Sequence, residues 1–186
     1  MARKRNSLVG WCITSAALTF FACMRILPLS VARAIGRWGA TLAYYTVPRV
    51  CKTGMANLNL AYGDSISQKE KKAILKESMI NLGLIGAEMP HNTLLQSKDR
   101  DKYCRILGEE HLEEHGTGVV ISGHYCNWEW GFGMFLGGGH KAAGIVRPLR
   151  DPRLNAFIEK SRKKSGVQII AKKAAAAEAL RTLRAG

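Results

Sequence analysis

Residues 116–135 read GTGVVISGHYCNWEWGFGMF. Val119, Val120 and Ile121 form an apolar, β-branched run between glycines, the pattern of a short buried strand. From 127 to 135 the composition turns to that of a helix. Two more rounds follow. Residues 143–146 predict a second strand and 152–165 an amphipathic helix closed at Gly166. Residues 167–170 predict a third strand, and 174–184 a last helix with Gly186 where a C-cap belongs. Strand and helix in alternation are the pattern of a parallel sheet with crossover helices. The expected fold class is therefore α/β. Because such sheets usually have more strands with both faces covered, this sheet is expected to be incomplete, as if the fold were cut off midway.

Upstream, the helix signals dominate. Arg3, Lys4 and Arg5 precede an uncharged run from 6 to 24 that carries Leu8, Trp11, Ile13, Leu18, Phe20 and Phe21. A bilayer span takes ~20 mostly apolar residues, and this run is at the short end. It reads as a cleaved signal peptide, a single span with its basic end in the cytoplasm, or a helix lying in the membrane surface. A retained anchor is favoured, because basic and apolar character continues beyond Arg25. Residues 27–46 predict a further helix with Arg33 and Arg37 on one side, and with Trp38, Tyr44 and Tyr45 suited to a headgroup layer. Pro48 breaks the pattern before a short helix, and Gly63-Asp64 read as a turn. Ser67-Gln68-Lys69-Glu70 is a capping box, opening a helix that stops near Pro90. Residues 91–105 read as loop. The expected organisation is an anchor over 1–26, a helical membrane-proximal region over 27–115 and the first part of an α/β catalytic domain over 116–186.

The chain is strongly basic: 28 Lys and Arg stand against 14 Asp and Glu among 186 residues, and the first acidic residue is Asp64. Such an excess attracts nucleic acid, anionic headgroups or an acidic protein. No nucleic-acid recognition motif accompanies it, so no nucleic-acid partner is expected. Five cysteines without a CxxC spacing read as free thiols in a reducing compartment.

The chemistry sits at the carboxyl end of the first predicted strand, where ligand sites gather in sheets of this kind. Glu129 follows His124 by five residues. Two helical residues at that spacing point about 140° apart, so the pair meets only if His124 lies in the turn. A carboxylate against an imidazole fixes its tautomer and stabilises the imidazolium. The imidazole then serves as general base toward an attacking hydroxyl, and a further donor is needed for the developing oxyanion.

His124 to Glu129, with Asn127-Trp128-Glu129 inside it, resembles the His-x4-Glu motif of the bacterial lipid A late acyltransferases, within the wider lysophospholipid-acyltransferase-like group. Other elements resemble the family in order. They are Leu27-Pro28-Leu29 before Gly36-Arg37, Asn57-Leu58 before Ala61-Tyr62-Gly63, Glu88 at a helix end, and Arg147-Pro148-Leu149 with Asp151-Pro152. The likeness covers nearly the whole chain. It implies a glycerolipid-acyltransferase-like fold and transfer of a fatty acyl chain from acyl carrier protein, or acyl-CoA, to a hydroxyl of a lipid A precursor or related lipid. It also implies a location at the cytoplasmic face of the bacterial inner membrane. His124 would be the general base and Glu129 its partner, while Arg147 and Asn127 would contact substrate. No cofactor or metal is implied. Arg150, Arg153, Lys160, Arg162, Lys163 and Lys164 would steer an acidic carrier protein, or else form a solvated helix face. The chain departs from the family at Cys126, where glycine is usual, and in lacking a further strand with a Gly-rich Asp-Gln element. A truncated remnant that only binds membrane or carrier protein is the alternative expectation.

Three other signals are set aside. His111-Leu112-Glu113-Glu114-His115 matches an H-x-x-E-H metalloprotease string but has no evident third ligand. Gly137-Gly138-Gly139 lacks the Lys-Ser/Thr of a phosphate loop. Cys126 beside His124 would be a thiol nucleophile only in an extended segment.

Overall fold

The computed structural model describes residues 7–98, 100–125, 127–149, 151–172 and 175–185. The basic cluster at 3–5, Cys126, Arg150 and the Gly186 cap lie outside them. The described chain is mostly helical, with one small parallel sheet. Four helices come first: α1 (Ser7–Ile26), α2 (Leu29–Thr46), α3 (Pro48–Tyr62) and α4 (Gln68–Glu88). A 3-10 segment, Met89–Gln96, leads through irregular chain to α5 (Glu109–His115). Then come α6 (Trp128–Gly137), β1 (Ala143–Val146), α7 (Pro152–Lys164), β2 (Gln168–Ala171) and α8 (Ala175–Ala185). Residues 89–96, expected as loop from 91, are 3-10 helix that runs straight on from α4.

Local chemistry accounts for several boundaries. Ser67 caps α4 by accepting from the Glu70 N–H, and Glu70 accepts from the Ser67 N–H and hydroxyl. Those bonds to the charged form lower the Glu70 pKa below the usual range. Pro48 occupies the first turn of α3, where its missing N–H costs nothing. This helix is longer than the short one expected, because nothing interrupts it before Gly63, whose φ of 49° ends it. Lys71 of α4 is buried, and its ammonium donates to the Gly63 carbonyl at 2.5 Å and to Asn59 Oδ1 at 2.9 Å. Buried charge needs such partners, and here they tie the end of α3 to α4. Asp151 caps α7, and Gly166 at φ 88° turns the chain from α7 into β2.

The helices pack through small residues. Ala32 and Gly36 of α2 are buried against α4. A Cβ placed on Gly36 would stand 2.6 Å from the Gly83 carbonyl oxygen and 2.9 Å from the Ala87 Cβ, so the two backbones approach too closely for any side chain there. The large apolar residues of α2 face the other way. Val31, Ile35, Trp38 and Leu42 are exposed on one face, with Trp38 74% exposed, while Tyr45, also exposed, carries the ammonium of Lys76 of α4 over its ring at 5.6 Å. Helix α1 lies against α7. Phe21 stacks on Phe157 at 5.5 Å, the Thr14 hydroxyl donates to Asp151 Oδ2 at 2.6 Å, and the Arg153 guanidinium sits 5.6 Å from the Trp11 ring. Among the described residues, no helix is long and apolar enough to cross a membrane.

The sheet corrects the sequence reading. β1 and β2 pair in parallel, from Ala143 with Gln168 to Val146 with Ala171, and α7 is their crossover, as expected. The first predicted strand is not formed. Residues 119–121 have no regular structure, and their side chains are exposed, Ile121 to 95%. A β-branched run becomes a strand only when a neighbour takes up its backbone bonds and another layer covers a face. Among the described residues β1 pairs with β2 alone, so 119–121 gain neither. The three strand–helix rounds are thus one complete β1–α7–β2 unit preceded by an irregular lead into α6.

Candidate active site

Helix α6 is seated by glycines. Gly133 and Gly137, one turn apart, lie over the fully buried Leu95 of the 3-10 segment, and a Cβ on Gly133 would stand 2.8 Å from Leu95 Cδ1. This close approach brings the N-terminus of α6 to the end of α4. Asn127 is the N-cap: its Oδ1 accepts from the Trp130 N–H at 3.2 Å. Its Nδ2 donates to Glu88 Oε2 at 2.6 Å. The Trp130 indole N–H donates to the Glu88 carbonyl at 3.1 Å, and Arg33 Nε donates to Glu88 Oε1 at 2.7 Å. The Arg33 guanidinium lies 5.6 Å from the Trp130 ring.

The expected site residues divide into two groups. Asn127 and Glu129 are fixed by the fold, whereas His124 and Arg147 are open to solvent. His124 lies in a bend outside α6, the placement that the five-residue spacing requires, and its ring is 4.7 Å from that of Trp128. Glu129, in the first turn of α6, has a side chain only 7% exposed. Its described partner is not His124 but Arg162, near the end of α7, which donates through Nε to Oε2 at 3.2 Å and through Nη2 to Oε1. Arg147 follows directly on β1 and is exposed. Asn127 spends one amide hydrogen on Glu88 and one lone pair on the α6 cap, which leaves one of each.

Sequence reasoning misses two residues. It counts Arg162 among the basic residues of a carrier-docking or solvated face, although a place in the last turn of an amphipathic helix also suits a buried partner. It notes Glu88 only as a helix end. Neither has a local signal that names its partner, 33 and 39 positions away.

Chemically, the segment offers an accessible imidazole in a turn and, in the helix after it, a buried carboxylate held by a guanidinium; no described contact joins Arg147 to either. Among the described residues no group of three His, Cys, Asp or Glu side chains is placed to hold a metal ion. Neither the curated proteins nor the solved structures give a match. The family model of the bacterial lipid A biosynthesis acyltransferases matches residues 2–186. The chain therefore belongs to the bacterial lipid A biosynthesis acyltransferase family and is an acyltransferase.

Proposed function

We propose that the chain transfers a fatty acyl group from a thioester on acyl carrier protein, or from acyl-CoA, to a hydroxyl of a lipid A precursor or related lipid. His124 is the general base. Its imidazole takes the proton of the acceptor hydroxyl as the oxygen attacks the thioester carbonyl. The C–O bond forms, the tetrahedral intermediate carries its charge on the carbonyl oxygen, and the C–S bond then breaks. The proton on the imidazole passes to the departing sulfur. Glu129 steadies the imidazolium. A carboxylate offers about four lone-pair sites, so it can accept from His124 while still held by Arg162. Arg147 supplies positive charge to the oxyanion or the acyl donor, and Asn127 offers its remaining amide hydrogen to substrate.

The observation that carries this reading is the exposed imidazole in the turn next to a helix whose first turn buries a carboxylate, in a chain of this family. The exposed apolar face of α2 supports a lipid-surface location. Trp38 and Tyr45 suit the headgroup boundary, and the basic excess suits anionic headgroups. The chain would then work at the cytoplasmic face of the inner membrane. A carrier protein would meet α7, where Lys160, Lys163 and Lys164 are exposed. Arg153 and Arg162 are already engaged by Asp151 and Glu129.

The test is acyl transfer in detergent micelles to a lipid A precursor, with each donor in turn, for this chain and for His124→Ala. Turnover that vanishes in His124→Ala supports the reading. Turnover that survives the substitution, or no turnover with either donor, overturns it.

A further inference from the structure

The end of α4 carries a carboxylate for which the proposed chemistry has no use. Glu88 is buried, and every described contact it makes leads toward the catalytic turn or toward α2. Its two carboxylate oxygens are divided between elements: Oε1 accepts from Arg33 of α2 at 2.7 Å, and Oε2 from Asn127 at 2.6 Å. Its carbonyl takes the Trp130 indole N–H at 3.1 Å. Asn127 and Trp130 flank Glu129 in sequence, and Asn127 follows His124 by three residues. Asn127 is also the cap on which the first turn of α6 depends. One residue therefore holds both sides of Glu129 in the segment that directly follows the imidazole. That segment needs a clamp, because 116–125 has no regular structure and is exposed.

Burying a carboxylate for packing alone is unfavourable: an apolar side chain of similar volume serves stability as well or better. What the charge provides is geometry. A short charge-assisted bond to an amide fixes distance and direction, and displacements of about 1 Å at a reacting centre cost rate by as much as about a hundredfold.

We propose that Glu88, charge-balanced by Arg33, is a positioning residue for acyl transfer: through Asn127 and Trp130 it sets the placement of the turn that carries His124 and Glu129. This rests on the assignment of His124 as general base. Glu88 touches no reacting atom; its effect passes through the cap of α6. The pairing also joins α2, whose opposite face is the exposed apolar stripe, to the catalytic turn by two hydrogen bonds in series.

The experiment is a bond-reversal cycle on the full chain. Glu88→Gln removes the charge, and Asn127→Asp sets two carboxylates face to face. In the double variant, the amide introduced at position 88 donates to the carboxylate introduced at position 127, and aspartate remains a good helix cap. Each single substitution is expected to lower kcat about ten- to a hundredfold, and Glu88→Gln, which touches no substrate, should leave KM for both substrates within about twofold. The double variant is expected to exceed both singles in kcat, with a remaining shortfall from the amide hydrogen that an aspartate at position 127 cannot offer to substrate. Hydrogen exchange supplies a readout independent of turnover: protection across 127–133 should fall in each single variant and return in the double, with α4 unchanged.

Wild-type kcat and protection in Glu88→Gln would overturn the proposal, as would a double variant no better than the singles. If Glu88→Gln does not fold, Asn127→Ser, which keeps a cap but loses the amide donor to Glu88, carries the same prediction for protection across 127–133. His124→Ala separates the two readings. If it retains turnover, the general-base assignment fails whatever Glu88 does. If it is inactive while Glu88→Gln is normal, only the positioning role fails.

Discussion

Arg162, near the C-terminal end of α7, holds the Glu129 carboxylate through two donors, Nε and Nη2, across 33 positions of sequence. Crossover helix and site helix are thereby joined at a buried acid. Arg162→Ala would leave that acid without a countercharge, and breaking such a pair costs about 3–5 kcal/mol. The lower end is expected, because the Arg162 side chain is 18% exposed and water can replace part of it. Urea unfolding followed by tryptophan fluorescence checks this. An Arg162→Ala midpoint equal to wild type would show that the pair does not hold α7 to α6. Glu129→Gln with Arg162→Met should recover most of the stability and none of the activity.

The α2–α4 contact makes opposite predictions for two glycines one turn apart. At Gly36 a methyl group meets the Gly83 backbone and Ala87. Gly36→Ala should therefore destabilise by about 1–3 kcal/mol, as overpacking does. Gly39 has open space around its would-be Cβ, so Gly39→Ala should stabilise by about 0.5–1 kcal/mol through helix propensity. Thermal unfolding of both variants decides it, and equal effects would mean that α2 does not sit on α4 as described.

If the exposed face of α2 rests on lipid, Leu42→Asp should weaken binding to vesicles containing anionic lipid by at least about tenfold, since an apolar side chain of this size contributes about 1.5–3 kcal/mol when buried. Ser65→Asp, an exposed control with the same charge change, should leave flotation with the vesicles nearly unchanged. Similar losses in both would point to charge rather than to the apolar face.

Asp151 gives the α1–α7 contact a dependence on acid. The Thr14 hydroxyl, then the Leu154 and Arg153 N–H groups and the Arg153 charge, favour its carboxylate and hold its pKa below the usual aspartate range. A depressed pKa means that the contribution is fully present above the usual value and is lost as pH falls through the lowered one. Protection factors across α1 in hydrogen exchange should drop on acidification through that range. Thr14→Val removes the hydrogen bond that couples α1 to this carboxylate and should leave α1 protection lower and nearly flat across that range. An unchanged profile would show that Thr14 and Asp151 do not couple.

Much of the secondary structure is legible in the sequence because its causes are local. The Ser67–Glu70 capping box, Pro48, the Asp151–Pro152 start of α7 and the turn at Gly166 each act within a few residues, and each appears as read. The β1–α7–β2 unit follows from the same alternation, with β2 displaced by one residue from the expected 167–170. The lead at 119–121 misleads because β-branched composition states only a preference. Pairing and coverage decide whether that preference is realised.

Read alone, then, the amino-acid order specifies the family, most of the helices with the Ser67 cap, and a helix over 127–135 that follows His124 closely. Which groups meet is a matter of packing. Glu129 faces Arg162, Glu88 faces Asn127 and Arg33, and α2 buries its small residues while exposing its large ones. The difference is one of range. Caps and turns are set by bonds between near neighbours, which a sequence displays. The partner of a buried charge, and the face that a helix turns inward, depend on how closely backbones can approach. Here those approaches are set at Gly36 against Gly83 and at Gly133 and Gly137 over Leu95.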